Sequence, residues 1–120
     1  MTTNMTVQVY GIANCDTVKK ARAYLTERGV AFEFNDYRKQ GLRAETLDAW
    51  LAALGWEALL NRKGNTWRGL DDAARAAATD AGGARQLMLA HTSVIKRPVV
   101  VWADGRTTFG FDADDWAARA

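Results

Sequence analysis

The sequence predicts one α/β domain over its 120 residues, beginning with a β-α-β unit and ending with a β-β-α unit. The first of three observations is that apolar residues alternate, then recur at helical spacing, then alternate again over 5–37. Helical and alanine-rich patterns then fill an insert at about 43–91. Last, an Asp-Gly pair separates two β-rich segments within 93–111, as in a hairpin. The chain contains no repeat, low-complexity tract or linker, which agrees with one domain.

The first unit is predicted to be a strand, a helix and a second strand. Residues 5–12 (MTVQVYGI) are rich in β-forming residues with rough alternation, which is typical of a strand. The apolar residues that follow share one helical face: Val18, Ala21 and Leu25. They predict a helix over 17–28 that Gly29 ends, and the alternation in 30–37 predicts the second strand. Because the crossover is short and helical, the two strands are expected to be parallel.

The first part of the insert combines an amphipathic helix with an irregular segment. Residues 43–55 place four apolar side chains on one helical face: Leu47, Trp50, Leu51 and Leu54. Residues 56–70 have no period, and Gly64 and Gly69 mark loops. We therefore expect a helix followed by a loop.

The second part of the insert, 70–91, is alanine-rich and predicts two short helices. The Gly82-Gly83 pair marks the break between them. Asp71 and Asp80 are candidate helix caps, because aspartate accepts a hydrogen bond from the first amides of a helix.

The last unit is predicted to be a hairpin followed by a helix. Residues 98–102 (PVVVW) are typical of a buried strand, whose first position tolerates the missing N–H of proline. Asp104-Gly105 predicts the hairpin turn, and 106–111 (RTTFGF) predicts the return strand. Asp112 is placed to cap a final helix that has acidic residues in its first turn.

The bulk composition excludes several functional classes. The 16 basic and 14 acidic residues give a net charge of +2, too near balance to argue for direct nucleic-acid binding. The longest apolar runs are far short of a membrane span, and the start of the chain lacks the pattern of a signal peptide. We expect a cytoplasmic protein without membrane association, because a free thiol suits a reducing compartment.

The chain has a single cysteine and a single histidine. One cysteine excludes an internal disulfide. A structural zinc site requires four ligands, and one cysteine with His91 cannot supply them. We therefore expect neither a metal site nor a bound cofactor.

Cys15 lies where the first predicted strand ends and the first helix begins. The unpaired amides and the dipole of a helix N-terminus favour an anion, and the thiolate is the reactive form of cysteine. The position is expected to lower the pKa of the thiol, with Asn14 and Thr17 as candidate hydrogen-bond donors. The alternative is a small buried hydrophobic residue, the usual role of a free cysteine. The polar neighbours of Cys15 favour an open loop instead.

Basic residues cluster in two places that could bind an anion. Arg62, Lys63 and Arg68 share the irregular segment, and Lys96 and Arg97 lie at the mouth of the third strand. The planar fork of arginine suits carboxylate or phosphate oxygens, so Arg62, Arg68 and Arg97 are candidate ligands. For each residue alone, a solvated surface charge is the alternative.

Four motifs in this order are typical of a known family: YGIANCDTVKKARAYL, FNDYRKQGL, LLNRKGNTWRGL and SVIKRPVVV. From about Val7 to Trp116 the chain resembles the arsenate-reductase-like family, in its Spx/YffB-like branch, and is closest to the YffB-like proteins. The resemblance implies a thioredoxin-like fold, a mixed sheet with β-α-β and β-β-α halves and a helical insert. It also implies an active-site thiol at Cys15 and a cis Arg97-Pro98 peptide facing it. From sequence alone, trans is the default for this bond.

The resemblance also implies roles residue by residue. Cys15 matches the family nucleophile, Arg62 the arginine of the insert, and Arg97 the arginine before the proline. Phe111 stands where the arsenate reductases carry a further arginine. Val18 stands where the Spx transcription regulators usually carry the second cysteine of a Cys-x-x-Cys motif. These departures leave the YffB-like proteins as the best match.

The function that the resemblance implies is a glutathione-dependent thiol-disulfide reductase with one nucleophilic cysteine. Glutathione is the expected co-substrate, and glutathione or a glutaredoxin-type protein would resolve the mixed disulfide, because the chain has no second cysteine. Three alternatives stay open. They are an arsenate reductase with a rebuilt oxyanion site, an Spx-like regulator that docks on RNA polymerase without a disulfide switch, and a vestigial buried thiol.

Overall fold

The computed structural model describes residues 6–119. The chain divides into two compact units. We call Met1–Gly41 with Arg97–Ala120 the sheet unit, and Leu42–Lys96 the helical unit. The single domain expected from the sequence, with an insert at about 43–91, stays a prediction.

The sheet unit is built on a mixed sheet, four strands of which lie in the described part of the chain. They are β1 (Val7–Gly11), β2 (Phe32–Asp36), β3 (Val99–Val101) and β4 (Thr107–Phe109). Their spatial order is β2-β1-β3-β4, with β1 parallel to β2 and β3 antiparallel to β1 and β4. The predicted mixed sheet and its parallel crossover are confirmed. Met5, the first residue of the predicted strand 5–12, lies outside the described residues.

The strand register brings three segments of the chain to one edge of this sheet. Gly11 at the end of β1 is aligned with Asp36 at the end of β2. Tyr10 is aligned with Val99 at the start of β3. The segments that follow β1 and β2 and the segment that precedes β3 therefore meet at the same edge, which we call the active edge.

The helices within residues 6–119 are, in chain order, α1 (Asp16–Glu27), α2 (Tyr37–Gln40), α3 (Ala44–Leu54), α4 (Trp56–Leu59), α5 (Asn65–Arg68), α6 (Asp72–Ala77), α7 (Ala81–Ala90) and α8 (Ala113–Arg119). Helices α1, α2 and α8 belong to the sheet unit, and α3 to α7 belong to the helical unit. A 3-10 turn, Thr92–Val94, follows α7. None of these described helices has the length and apolarity that crossing a membrane requires.

Helix α1 buries its predicted apolar face. Val18, Ala21 and Leu25 are fully buried, and the latter two pack in the core of the sheet unit. Gly29 follows the helix with a φ of +68°, and the amide of Val30 donates to the carbonyl of Leu25. This left-handed glycine ends the helix, as predicted.

An aromatic cluster completes the core of the sheet unit. The rings of Trp102 and Trp116 meet edge to face with centroids 5.0 Å apart, and Phe111 lies 4.8 Å from Trp116. Tyr24 of α1 contacts both Phe111 and Trp116. Trp102 Nε1–H donates to Thr108 Oγ1 at 2.9 Å, so this buried indole has a partner. The rings hold α8 against α1 and the hairpin.

The predicted hairpin is confirmed, with a shorter return strand. Gly105 adopts a φ of +87° in the turn that it forms with Asp104. The return strand is Thr107–Phe109 and not 106–111. Gly110 has a φ of +77° and leaves the extended conformation, which ends the strand.

Three predicted aspartate caps are confirmed. In each case a carboxylate oxygen accepts hydrogen bonds from amides in the first turn of the helix. Asp71 accepts from Ala74, Asp80 from Gly83, and Asp112 from Asp114 and Asp115.

The segment 56–70, predicted to be loop, contains the two one-turn helices α4 and α5. The amide of Leu60 donates to the carbonyl of Trp56 at the end of α4, and Leu59 and Leu60 are buried. The prediction was wrong because a single turn is too short to display a 3.6-residue period.

The break between the alanine-rich helices precedes the Gly82-Gly83 pair. Helix α6 ends at Ala77 and α7 begins at Ala81, so both glycines lie in the first turn of α7. A Cβ added to Gly83 would lie 1.7 Å from the carbonyl oxygen of Ala77. The predicted break was therefore wrong. Gly83 is required for the close approach of two backbones, and the cap at Asp80 begins the helix.

Candidate active site

The active edge of the sheet unit carries a thiol, a phenol and a guanidinium. Cys15 lies in the segment after β1, Tyr37 directly follows β2, and Arg97 lies just before β3. All three belong to the sheet unit. Each comes from a different segment, so only the folded chain brings them together.

Cys15 is the N-cap residue of α1. Its backbone is extended, with φ −144° and ψ 123°, and its carbonyl accepts the amide of Lys19 at 2.9 Å. The residue is half-buried. The thiol is therefore at the positive end of the helix dipole, where an anion is favoured.

The pKa of the Cys15 thiol is lowered from its ordinary value. Burial raises this pKa, but the amide of Val18, the side chain of Arg97 and the amide of Thr17 together outweigh burial. Arg97 acts both by hydrogen bonding and by charge. The fraction of reactive thiolate at neutral pH is correspondingly increased.

Arg97 is half-buried and precedes Pro98 through a cis peptide bond. The cis isomer implied by the family resemblance is confirmed, and the default trans isomer is wrong. Pro98 is buried, and its carbonyl accepts the amide of Gly110 at 2.8 Å. This hydrogen bond ties the backbone that directly follows Arg97 to the hairpin.

Asp36 is a charged residue at the active edge that was not among the site residues predicted from the sequence. It is only 7% exposed. Its Oδ2 accepts the amide of Ala13 at 3.1 Å, and its Oδ1 accepts the amides of Arg38 at 3.0 Å and Lys39 at 3.2 Å. Burial raises the pKa of this carboxyl, but the three amides and the charge of Lys39 lower it overall. Asp36 is therefore held as a buried carboxylate.

Tyr37 is a second residue at this edge that was not predicted from the sequence. Its side chain is 3% exposed. Burial raises its pKa to about 12, against the opposing effect of Arg97, and the charges of Cys15 and Asp36 raise it further. The phenol therefore keeps its proton at neutral pH and interacts with both the guanidinium and the thiol.

One signal in the sequence could have identified these two residues. They end the second predicted strand, and the carboxyl ends of parallel strands share an edge of the sheet with the Cys15 loop. Asp36 and Tyr37 fall in the FNDYRKQGL motif, which carried the resemblance but received no role.

Asn14 and Thr17 flank the nucleophile, and both are exposed. Thr17 acts on the sulfur of Cys15 through its backbone amide. The structure thus brings together Cys15, Thr17 and Arg97 of the predicted site, and Pro98 adjoins Arg97 in the chain. The role of the Asn14 side chain stays a prediction.

Arg62 and Arg68 belong to the helical unit. Both are exposed, and the guanidinium of Arg62 lies 5.6 Å from the ring centroid of Trp56. Arg68 ends α5, and its carbonyl accepts a hydrogen bond from Arg75 at 3.3 Å. Their roles as anion ligands stay predictions.

Chemically, the site offers a thiolate beside a fixed cation. A guanidinium next to the sulfur can stabilise the thiolate and can also hold an acidic group of a substrate. Within residues 6–119, no group of three or more histidine, cysteine, aspartate or glutamate residues is arranged to hold a metal ion.

The chain is similar in sequence to known proteins. The ArsC family matches residues 10–119. A protein of Haemophilus influenzae described as uncharacterised is 35% identical over 112 residues, spanning 93% of this chain and 96% of its own length.

Solved structures are similar over nearly the whole chain. The structure of a YffB protein is 48% identical with a TM-score of 0.88, covering 95% of this chain and 98% of its own. A protein of Brucella melitensis described as arsenate reductase (ArsC) related is 47% identical with a TM-score of 0.75, covering 98% and 97%. The thioredoxin-like fold and the resemblance to YffB-like proteins are confirmed. With its sequence matched from the end of β1 to the last helix, the chain belongs to the ArsC family.

Proposed function

We propose that this protein is a glutathione-dependent thiol-disulfide reductase whose nucleophile is Cys15. The observation that carries the proposal is the contact of Arg97 with a Cys15 thiol at the start of α1, which lowers the pKa of that thiol. Family membership supports a thiol-based reductase chemistry.

The reaction has two exchange steps. The Cys15 thiolate attacks the glutathionyl sulfur of a mixed disulfide, forming a Cys15–glutathione disulfide and releasing the substrate thiolate. A second glutathione thiolate then attacks the sulfur of the bound glutathione. Oxidised glutathione leaves, and the Cys15 thiolate is restored. Each cycle thus consumes one external glutathione, and the disulfide passes from the substrate to oxidised glutathione, whose other half is the glutathionyl group of the substrate.

The lowered pKa of Cys15 serves both steps. It increases the fraction of thiolate available for the first attack. It also makes Cys15 a better leaving group in the second, because exchange is faster when the departing thiol has a low pKa. Arg97 and Arg62 are the proposed ligands for the carboxylates of glutathione, since guanidinium and carboxylate form paired hydrogen bonds. Arg68 is a further candidate in the same unit as Arg62.

The second thiol must come from outside, because the chain has one cysteine. Glutathione or a glutaredoxin-type protein is the proposed reductant, and neither a bound cofactor nor a metal is required. Such a cycle operates in a reducing compartment, which supports a cytoplasmic location.

Arsenate reduction is the second candidate, because a 47% identical structure is described as arsenate reductase related. Against it, Phe111 packs against Tyr24 and Trp116 at the position where the family's arsenate reductases carry a further arginine. An Spx-like disulfide switch is disfavoured because the buried Val18 replaces its second cysteine. Docking on RNA polymerase without that switch is tested by a pull-down that survives Cys15→Ser.

The test is turnover of a glutathionylated peptide with glutathione, followed by NADPH consumption through glutathione reductase. We expect activity in the natural protein and its loss, by about a hundredfold or more, in Cys15→Ser. Arg97→Ala and Arg62→Ala should raise the KM for glutathione. Parallel assays with arsenate separate the second candidate. Peptide turnover no faster than with Cys15→Ser would contradict the proposal.

A further inference from the structure

We propose that Asp36 and Tyr37 are positioning residues of the thiolate site, Asp36 fixing the loop that carries Cys15 and Tyr37 orienting Arg97. The inference rests on the proposed function, because it concerns the geometry of the reactive thiolate. It gives a role to two neighbouring residues where β2 meets α2. Asp36 contacts the loop that carries Cys15, and Tyr37 interacts with Arg97.

The contact of Asp36 with Ala13 bridges two distant parts of the sequence. Ala13 lies two residues before Cys15, in the loop between β1 and α1. Its amide donates to Oδ2 of Asp36, while the other carboxylate oxygen caps α2. Since the carboxylate is buried and accepts on both oxygens, its orientation is fixed. The loop is therefore tied to the end of β2 by a charge-assisted hydrogen bond.

This contact goes beyond helix capping. Asp112 caps α8 in the same unit, and the bonds of its Oδ1 go to two amides of that helix, Asp114 and Asp115. Asp36 makes the equivalent two bonds to α2 and adds the bond to Ala13. The second oxygen thus has a use that capping does not require.

Tyr37 supplies the other half of the arrangement. It is the first residue of α2, and its buried side chain interacts with Arg97 and, by charge, with Cys15. A rigid phenol packed in this way limits where the long Arg97 side chain can lie. Arg97 is then held against the sulfur in one place, which a flexible surface arginine would not achieve.

Both contacts start from the same short stretch of backbone. Asp36 is the last residue of β2 and is aligned with Gly11 of β1, and Tyr37 follows it directly. The nucleophile's loop and the cation are therefore positioned from one reference point. The titratable and charged groups that face the Cys15 thiol are Arg97 before β3 and Tyr37 on α2, with Asp36 beside Tyr37.

The test for Asp36 is the pKa of Cys15 in Asp36→Asn, measured as the pH dependence of alkylation by iodoacetamide. The asparagine oxygen can still cap α2, whereas its NH₂ group would face the amide of Ala13, donor against donor. A loosened loop separates Cys15 from Arg97 and raises the pKa by about one unit, comparable to one hydrogen bond to a charged group. Loss of a nearby negative charge alone would instead lower it. The sign of the shift therefore distinguishes positioning from simple charge.

The test for Tyr37 is the same measurement in Tyr37→Phe, which keeps the buried ring and removes the hydroxyl. We expect the pKa of Cys15 to rise, by up to about one unit, because Arg97 is less well held. The matched controls are Asp112→Asn, a cap in the same unit, and Tyr24→Phe, whose hydroxyl donates to the Ala113 carbonyl at 3.2 Å. Neither control should shift the Cys15 pKa.

The outcomes separate this inference from the proposed function. If the Cys15 pKa is low in the natural protein and rises neither in Asp36→Asn nor in Tyr37→Phe, the inference is overturned. The proposed reductase function would then still stand. An ordinary pKa in the natural protein would contradict the proposed function itself. If Asp36→Asn fails to fold, as judged by circular dichroism, Tyr37→Phe decides.

Discussion

The guanidinium of Arg97 acts on the thiol of Cys15 by hydrogen bonding and by charge. The two residues lie near opposite ends of the sequence, and the antiparallel pairing of β1 with β3 brings their segments to one edge. Helix α1 adds hydrogen bonds to the sulfur from the amides of Val18 and Thr17. The cation and the helix N-terminus together stabilise the thiolate. The thiol therefore needs no neighbouring general base to remove its proton.

The carboxylate of Asp36 predicts that stability falls in acid. Its pKa is lowered in the folded protein, so the folded state binds fewer protons than the unfolded state as the pH falls. The stabilisation is complete above about pH 4 and is lost as the pH drops through the folded pKa. Asp36→Asn should therefore reduce the free energy of unfolding by about 1–3 kcal/mol at neutral pH, and by less near pH 3.

Urea unfolding at the two pH values measures this difference. Asp112→Asn is the control, because it removes a capping carboxylate that makes no bond to the Cys15 loop. A difference between Asp36→Asn and the natural protein that stays constant with pH would mean that the carboxylate is not the stabilising species.

Gly11 is expected to be intolerant of a side chain. A Cβ at this position would lie 2.8 Å from Cγ2 of Val18, the residue whose amide acts on the thiolate. Val18 is fully buried and stiff at χ1, so it cannot easily move aside. Gly11→Ala should cost about 1–3 kcal/mol of stability through overpacking and should also raise the pKa of Cys15.

Thermal unfolding and thiol alkylation of Gly11→Ala measure the two effects. Gly11→Ser provides a second substitution with the same Cβ, and it should behave alike if the clash is responsible. Unchanged stability in both variants would show that α1 does not pack against β1 as closely as described.

The neighbouring glycines of α7 are expected to respond in opposite ways to alanine. At Gly83 a Cβ would lie 1.7 Å from the carbonyl oxygen of Ala77, whereas at Gly82 it would lie 3.8 Å from Oδ1 of Asp80. Gly82→Ala should raise stability by up to about 1 kcal/mol, because alanine favours a helix and restricts the unfolded chain. Gly83→Ala should lower stability by about 2 kcal/mol or more.

Parallel chemical unfolding of the two variants provides the comparison, each serving as the control for the other. Equal destabilisation would contradict the position of Gly82 inside α7. It would instead support a break between the two helices at the Gly82-Gly83 pair.

Much of the fold follows from local patterns in the sequence. The face formed by Val18, Ala21 and Leu25, the Asp104-Gly105 turn and the aspartate caps are each set by neighbours within a few residues. The one-turn helices α4 and α5 are too short for periodicity to reveal. Glycine usually interrupts a helix, but Gly83 lies inside α7. A glycine is required there because the backbone of Ala77 leaves no room for a Cβ.

The active site was predictable to a similar extent. Cys15 was identified because a strand-to-helix turn is a local feature with known electrostatics. Arg97 and its cis peptide came from the family resemblance. Asp36 was missed because its bond to Ala13 joins residues that only the parallel pairing of β1 and β2 brings together. A single buried carboxylate that is hydrogen-bonded on both oxygens produces no periodic pattern in the sequence.

The most direct test of the account is the pH dependence of Cys15 alkylation in the natural protein and in Arg97→Ala. With one cysteine in the chain, the rate of iodoacetamide modification reports a single thiol. We expect a pKa clearly below about 8.5 that rises by about one unit in Arg97→Ala, while the exposed control Arg106→Ala leaves it unchanged. A pKa at or above about 8.5 in the natural protein, with no response to Arg97→Ala, would contradict an activated thiolate at this site.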